Sequence, residues 1–354
     1  MKGTHRTLEP MRHAAACVLV AGCLLAWCAA QTQGQEGGEV SKTGTTMAQF
    51  LKIEVSPRAA AMGAAFVAVT NDASALYWNP AGLSHLMHNE FTVAHTSWLA
   101  DMSFDFSGVV ISLDEFGTIG ASATMLSMGD MDVRTVDQPE GTGERFGAGD
   151  LAIGLSYARN LTDKFSVGFT GKYVREFIWH MSASAFGVDV GTLYKTDLSG
   201  LTIGMSISNF GGKMKYDGND ALIYYNVNPG KFGSNDKVVT DIRMTEWALP
   251  LIFRVGLSME PLVTEQHRVV IAVDALHPND NTESMNVGFE YTFNNLLSLR
   301  GGYKSLFRRD SEEGLTLGGG IAYPIDGVRL RADYAWADFG RLTSVHRFAF
   351  SMEF

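Results

Sequence analysis

"LAIGLSYARNLTDKFSVGFTGKY" (residues 151–173) alternates between large apolar and small or polar residues on both sides of a short polar turn. In residues 151–157 the odd positions carry Leu, Ile, Leu and Tyr, and the even positions carry Ala, Gly and Ser. Residues 165–173 and 201–209 repeat this pattern. A period of two predicts β-strands with one apolar face and one small or polar face.

Fourteen segments after residue 90 fit this pattern. Short turns such as "DEFG" and "PID" follow the even-numbered segments, whereas the two longest connections, about 127–149 and 210–249, follow odd-numbered ones. A single-chain outer-membrane barrel has an even number of strands, short turns at one end and long loops at the other. The predicted strands lie at about 91–98, 105–113, 117–126, 150–159, 165–175, 185–193, 201–209, 250–259, 268–275, 284–293, 296–304, 314–323, 328–336 and 345–354.

The composition agrees with strands that touch lipid. Charged residues make up only 19% of the chain and the mean hydropathy is +0.02, so the chain resembles neither a typical soluble protein nor a helical membrane protein. Because every backbone polar group in lipid must be paired, a sheet survives there only when it is closed. The sequence therefore predicts an all-β fold: a transmembrane antiparallel β-barrel of about 14 strands over residues 91–354.

The last ten residues, "VHRFAFSMEF", place Phe348, Phe350, Met352 and Phe354 on one face. Such an amphipathic strand that ends on an aromatic residue resembles the C-terminal signal read by the outer-membrane barrel-assembly machinery. We interpret Phe350 and Phe354 as this barrel signal. The alternative is a closing strand in an ordinary β-sandwich.

Residues 1–30 are predicted to be a signal peptide, with basic residues before an apolar run and cleavage after Ala30. An uncleaved anchor and a lipobox with lipidated Cys23 are the alternatives. All three cysteines precede residue 31, so the mature chain has neither disulfides nor thiolate metal ligands. Residues 31–46 are polar and glycine-rich and are predicted to be a flexible leader. The expected location is the outer membrane of a Gram-negative-type envelope, and the net charge of −10 argues against a nucleic-acid partner.

Residues 47–90, the N-terminal segment, lack the alternation of the later strands. Pro57 and Pro80 interrupt any long helix, and the run "AAAMGAAFVAV" can pack closely because its side chains are small. A barrel of about 14 strands encloses a lumen too wide for its own side chains to fill. We therefore predict that this segment is a hatch or plug in the lumen, anchored to the inner wall by Tyr77 and Trp78.

The stretch "SPRAAAMGAAFVAVTNDASALYWNPAGL", residues 56–83, resembles the N-terminal segment of the PorV/PorQ family of outer-membrane proteins and, more distantly, of the FadL long-chain fatty-acid transporters. The resemblance implies a fourteen-stranded barrel with an N-terminal hatch in the lumen. For the PorV kind it also implies a part in type IX secretion, by receiving exported cargo at the outer membrane. The matching residues are Arg58, Met62, Gly63, Phe66, Asp72, Ala73, Tyr77, Asn79, Pro80, Ala81, Gly82 and Leu83. The predicted hatch motif comprises Arg58, Gly63, Asp72, Tyr77, Trp78, Asn79, Pro80 and Gly82.

The face opposite the apolar rows is predicted to enclose a polar lumen. It carries mostly Gly, Ala, Ser and Thr in the early strands and charged residues in the late ones. These charges either line a selective path and form salt bridges to the hatch, for example to Asp72, or pair across strands in a wet interior. Arg58 and Asp72 are expected to hold the hatch in place. The candidate lumen-lining residues are Glu290, Arg300, Arg329, Arg331, Asp333 and Arg347.

No pattern in the sequence points to catalysis, a cofactor or a metal. The histidines His85, His88 and His95 are spaced like metal ligands, but nothing in the sequence fixes their geometry. "DGND" (217–220) lacks the later glutamate of a calcium loop, and "GTGERFG" (141–147) lacks the lysine and helix of a phosphate-binding loop. No nucleophile elbow or other paired catalytic motif is present either, so we expect no enzymatic activity.

Three functions are compatible with such a barrel. The first is a PorV-like secretion component whose outer loops bind a translocon or exported cargo proteins; the aromatic residues of the connection 210–249 favour it. The second is a FadL-like channel for long-chain fatty acids or other hydrophobic small molecules, with "SAFG" (184–187) as a strand irregularity. The third is a structural outer-membrane barrel without a transport role, surrounded by outer-membrane lipid.

Overall fold

The computed structural model describes residues 42–198, 200–233, 235–308 and 311–354. The predicted signal peptide and residues 31–41 of the predicted leader lie outside these residues. None of the helices in the described part of the chain is both long and apolar enough to cross a membrane.

The wall consists of fourteen antiparallel strands, which confirms the predicted fold class. Each of the fourteen predicted segments overlaps one strand, with ends that differ by a few residues. The strands are β1 (Glu90–Ser97), β2 (Ser103–Ser112), β3 (Thr118–Ser127), β4 (Ala148–Asn160), β5 (Phe165–Ile178), β6 (Met181–Lys195), β7 (Thr202–Gly211), β8 (Ile252–Val263), β9 (His267–Pro278), β10 (Ser284–Phe293), β11 (Leu297–Leu306), β12 (Leu315–Ile325), β13 (Val328–Asp338) and β14 (Ser344–Glu353).

The sheet closes on itself because the first and last strands pair with each other. β1 and β14 are in register from Glu90 opposite Glu353 to Ser97 opposite His346. Each other strand pairs with the strands before and after it in the sequence, so no edge is left open. Closure satisfies the backbone groups of every wall strand, as a lipid environment requires.

The two faces of the wall differ as the alternation predicts. In β4, Leu155 is 68% exposed and points outward, while its neighbour Ser156 is buried. In β5, Phe169 is exposed and Thr170 is buried. The outer face is thus apolar, and the inner face carries small and polar side chains.

The connections confirm the predicted difference between the two ends. Short turns follow the even-numbered strands, and the two longest connections, 128–147 and 212–251, follow β3 and β7. The second of these contains a two-stranded ribbon, Leu222–Tyr225 paired with Val238–Asp241, which pairs with no wall strand. We call this ribbon the apolar ribbon.

The N-terminal segment forms four short helical turns, Gln49–Lys52, Pro57–Ala61, Ala75–Trp78 and Pro80–His85. It contacts strands around the whole circumference, so it lies inside the ring of strands. Nine inner-face glycines are so close to it that an added Cβ would lie 2.0 to 3.2 Å from an atom of the segment. These glycines are Gly108, Gly120, Gly168, Gly191, Gly204, Gly256, Gly288, Gly302 and Gly318.

Candidate functional site

Arg58 connects the N-terminal segment to the wall. It lies in the short helix Pro57–Ala61, which begins at a proline in the first turn, where proline is tolerated. Its Nε and Nη2 donate to the two carboxylate oxygens of Glu290 at 2.8 and 2.7 Å, and its Nη1 donates to Asp72 at 2.8 Å. All three side chains are buried. Such a bidentate pair fixes both the position and the orientation of the helix.

The charges around Arg58 keep these groups ionised despite burial. Burial disfavours the charged form of Asp72, yet the positive charges of Arg58 and Arg331 outweigh it and lower the pKa of Asp72 below its usual value. Burial likewise opposes the charge of Arg58, but Glu290 and Asp72 raise its pKa. The two residues are therefore held as a charged pair.

The predicted lumen-lining residues continue this network along the wall. Arg300 donates from Nε to Glu290 at 2.6 Å and from Nη1 to Asp333 at 2.5 Å. Arg331 lies 3.5 Å from Asp333 and donates to Glu90 at 2.6 Å. The structure thus brings four of the six candidates into the centre of one network with Arg58 and Asp72. Asp72 itself bonds to Arg58 and Ser74 rather than to a wall arginine.

The other two candidates lie apart from this network's centre. Arg347, from β14, donates to Glu54 of the N-terminal segment at 2.7 Å. Lys304 also pairs with Glu54 and lies 2.5 Å from Glu313. Burial opposes the charge of Glu54, but Lys304 and Arg347 lower its pKa. Arg329 has a half-exposed side chain and approaches only Glu353, at 3.8 Å.

Tyr77 and Trp78 pack against a buried wall cation. The guanidinium of Arg254 lies 5.9 Å from the centre of the Tyr77 ring and 5.6 Å from that of Trp78. Trp78 is buried, and the Tyr77 hydroxyl donates to the carbonyl oxygen of Leu51 at 3.1 Å. Burial raises the pKa of Tyr77 to about 12, so the hydroxyl keeps its proton.

Asn79, Pro80 and Gly82 shape the turn that follows. The Asn79 amide donates to the carbonyl oxygen of Val67, in the same segment, and to that of Thr192 in β6. These bonds connect the turn both to an earlier part of the segment and to the wall. Pro80 lies directly against Gly168 of β5. A Cβ at position 82 would lie 2.4 Å from the Thr70 hydroxyl, so only glycine allows this close approach.

Gly63 makes the closest approach to the late strands. Its backbone has a φ of 62°, and its N–H donates to Thr316 Oγ1 at 3.0 Å. A side chain there would collide with the backbone of Val287 and Tyr303. Both the conformation and the space therefore require glycine.

Sequence reasoning missed several acidic residues that hold the segment, among them Asp274 and Glu54. Asp274 of β9 accepts hydrogen bonds from the backbone N–H groups of Phe66 and Val67 at 2.7 and 2.9 Å. Its place on the inner face of "VVIAVDA" could have identified it. Glu54, in contrast, lies in no repeating pattern.

The other candidates are dispersed. His85 bonds to Ser166 and His95 to Asp105, while His88 approaches Glu353, so the three histidines do not converge. Residues 217–220 and 141–147 lie in the long connections. Phe350 and Phe354 are exposed on the outer face near the end of the chain. The irregularity predicted at 184–187 occurs slightly later, between Val188 and Val190, where β6 and β7 shift register.

Two small cavities lie beside the segment. One cavity lies between Ser56, Asp72 and the wall residue Arg331, and a second lies between Glu54 and Lys304. Each has a volume of about 10 Å³, which accommodates about one water molecule.

The apolar ribbon is a second candidate site. Leu222, Ile223, Tyr224 and Tyr225 are all exposed, and Tyr224 is 73% exposed. Because successive residues of a strand point to opposite faces, both faces of the ribbon are apolar. Phe232 at its tip is fully exposed.

Comparison with known structures shows the same fold in solved structures of transporters and of a FadL homologue. The Pseudomonas putida toluene transporter TodX has a TM-score of 0.52 and 15% identity over 85% of this chain and 98% of its own. The Ralstonia pickettii toluene transporter TbuX has a TM-score of 0.53 and 13% identity over the same shares. A Pseudomonas aeruginosa FadL homologue has a TM-score of 0.51 and 11% identity, again over 85% and 98%.

Comparison with curated proteins gives no sequence match. The family described as Type IX secretion system protein PorV, however, matches residues 36–244, which is more than half of the chain. This match includes the whole N-terminal segment and the strands as far as β7. The fold and the family are those of outer-membrane barrel proteins rather than of enzymes. The chain is thus an outer-membrane β-barrel that belongs to the PorV family.

Proposed function

We propose that this barrel takes part in type IX secretion by receiving or shuttling cargo at the outer membrane. Membership of the PorV family supports a part in this pathway. The apolar ribbon is the observation that supports a docking role within it. A two-stranded ribbon is at best marginally stable alone in water. A ribbon with two apolar faces and two unpaired edges gains stability when a partner covers it.

The contacts between the N-terminal segment and the wall support a docking role over that of an open pore. Arg58, Asp274 and Asn79 join the segment to different strands, and the two cavities beside it hold about one water molecule each. We infer that the N-terminal segment serves as a hatch that stays seated while the outer loops engage partners. The partners are then a translocon or exported cargo, and membrane lipid around the outer wall.

Replacement of residues 222–241 by a short Gly-Ser linker tests the proposal. The matched control replaces residues 133–143 in the other long connection. We expect the ribbon variant to lose co-purification with the secretion translocon and to leave cargo with C-terminal secretion domains in the periplasm, while the control retains both properties. Normal surface display in the ribbon variant would refute the docking role.

Uptake of a hydrophobic small molecule is the second candidate. The register shift between β6 and β7 favours it, because bulges often re-aim side chains beside binding sites. Asn209, on the bulged side, has a φ of 64° and donates from its backbone to Asp189. A purified barrel that retains an apolar ligand in detergent, together with poor fatty-acid import by the deletion strain, would favour uptake over docking.

A further inference from the structure

His88, Glu90 and Glu353 meet at the seam, where β1 pairs with β14. Asn89 and Phe354 exchange two backbone hydrogen bonds of 3.1 and 2.9 Å, and Glu90 lies directly opposite Glu353. This pairing fixes the backbone directly after His88. One ligand atom from each of the three side chains lies within 4.8 Å of the other two.

Two of these groups have few strong contacts. His88 Nε2 is buried and makes no hydrogen bond to any described residue, and it lies 3.6 Å from Glu353 Oε2. Among the described residues, the arginine contacts of Glu353 are long, 3.5 Å to Arg331 and 3.8 Å to Arg329. Both groups can therefore take a stronger partner without losing a short hydrogen bond.

The ion-pair network of the inner wall reaches the seam. Within the described residues, five carboxylates and four guanidinium groups form one connected set. At the seam, Glu90 and Glu353 share Arg331, and the half-exposed Arg329 adds a longer contact to Glu353. The members are Asp72, Glu90, Glu290, Asp333 and Glu353 with Arg58, Arg300, Arg329 and Arg331.

We propose that His88, Glu90 and Glu353 bind a divalent first-row cation of the Zn²⁺ type. One imidazole nitrogen and two carboxylates are ligands that Zn²⁺ accepts, with a water molecule in the fourth position. Glu90 is already oriented by Arg331 at 2.6 Å and by the Ala73 N–H at 2.9 Å, and its oxygens keep further lone pairs for a metal. The bound ion would clamp the seam of the barrel. This site departs from the sequence-based expectation of no metal.

Zn²⁺ titration of the purified, tag-free barrel in detergent tests the site. We expect one equivalent to bind and to raise the temperature at which the barrel unfolds on a heat-modifiability gel. His88→Ala and Glu353→Gln should each weaken binding at least tenfold. The control His95→Ala, at an exposed histidine outside the site, should bind as the unmodified protein does.

Two results would overturn the proposal. One is binding that does not saturate at one equivalent or that His88→Ala leaves unchanged. The other is a seam whose stability depends on His88 and on pH but not on Zn²⁺ or a chelator, which would mean that a protonated His88 pairs with Glu353 in place of a metal ion. Neither result bears on secretion, which is measured separately by surface display of cargo.

Discussion

At the scale of single residues, the buried charges of the inner wall matter most. Glu290 lies opposite Arg300 across the short turn between β10 and β11, and period-two alternation places both on the inner face. That pair was accessible from the sequence. The contact between Arg58 and Glu290 was not, because the two residues are 232 positions apart and meet only when the barrel closes.

The first prediction concerns Arg58. Arg58→Met should lower the free energy of unfolding by about 3–5 kcal/mol, because it leaves the buried carboxylates of Glu290 and Asp72 without their main partner. Arg329→Met is the matched control, since Arg329 is half exposed and its contact is long; its effect should stay below about 1 kcal/mol. Denaturant unfolding in detergent micelles measures both values. Equal losses for the two variants would contradict the structural role of Arg58.

The second prediction concerns pH and His85. Burial and the nearby charge of Lys195 lower the pKa of His85 to about 4, from a usual value of 6.5. Between these two values the unfolded chain binds a proton that the folded barrel does not, so stability falls as the pH decreases from 6.5 to 4. His85→Asn should lose this part of the pH dependence, and His277→Asn, at an exposed position, should keep it. The free energy of unfolding of each variant, measured at pH 7 and pH 4.5, gives its dependence on pH. The same pH dependence for His85→Asn and for the unmodified barrel would contradict the prediction.

At the scale of elements, the strands were predictable and the packing of the segment was only partly so. Alternation depends on local sequence, and each wall strand has one lipid-facing and one inner face, so the period of two is clear throughout. The short helical turns of residues 49–85 have no such period. Their positions depend on which wall glycines lie opposite, for example Gly168 against Pro80.

The third prediction uses two adjacent glycines of β11. In Gly302→Ala the new Cβ would lie 2.2 Å from the backbone nitrogen of Gly63, so the segment must shift. In Gly301→Ala the Cβ points outward and its nearest neighbour, a Leu317 side-chain atom, is 3.6 Å away. We expect Gly302→Ala to destabilise the barrel by about 1–3 kcal/mol, as overpacking does, and to expose the segment to protease. Gly301→Ala should have neither effect. Equal protection of the segment from protease in both variants would contradict its close packing against β11.

At the scale of the whole molecule, closure and filling of the ring are separate properties. The ring closes through the pairing of β1 with β14, which begins at Asn89 and does not involve residues 47–86. Filling of the lumen, in contrast, depends on residues 47–86. A barrel without them should therefore still close, and its inner face of small, polar and charged side chains should admit water.

The fourth prediction follows from this separation. The intact barrel should be silent in a planar lipid bilayer, because the segment packs against strands around the whole ring and the two cavities described beside it are the size of a water molecule. Deletion of residues 47–86 should produce ion conductance, and a heat-modifiable band on a gel would show that the deleted protein is still a folded barrel. Conductance of the intact protein equal to that of the deletion variant would mean that the segment does not seal the lumen. Silence of a folded deletion variant would mean that the wall alone seals it, since the inner side chains would then have collapsed into the space that the segment occupied.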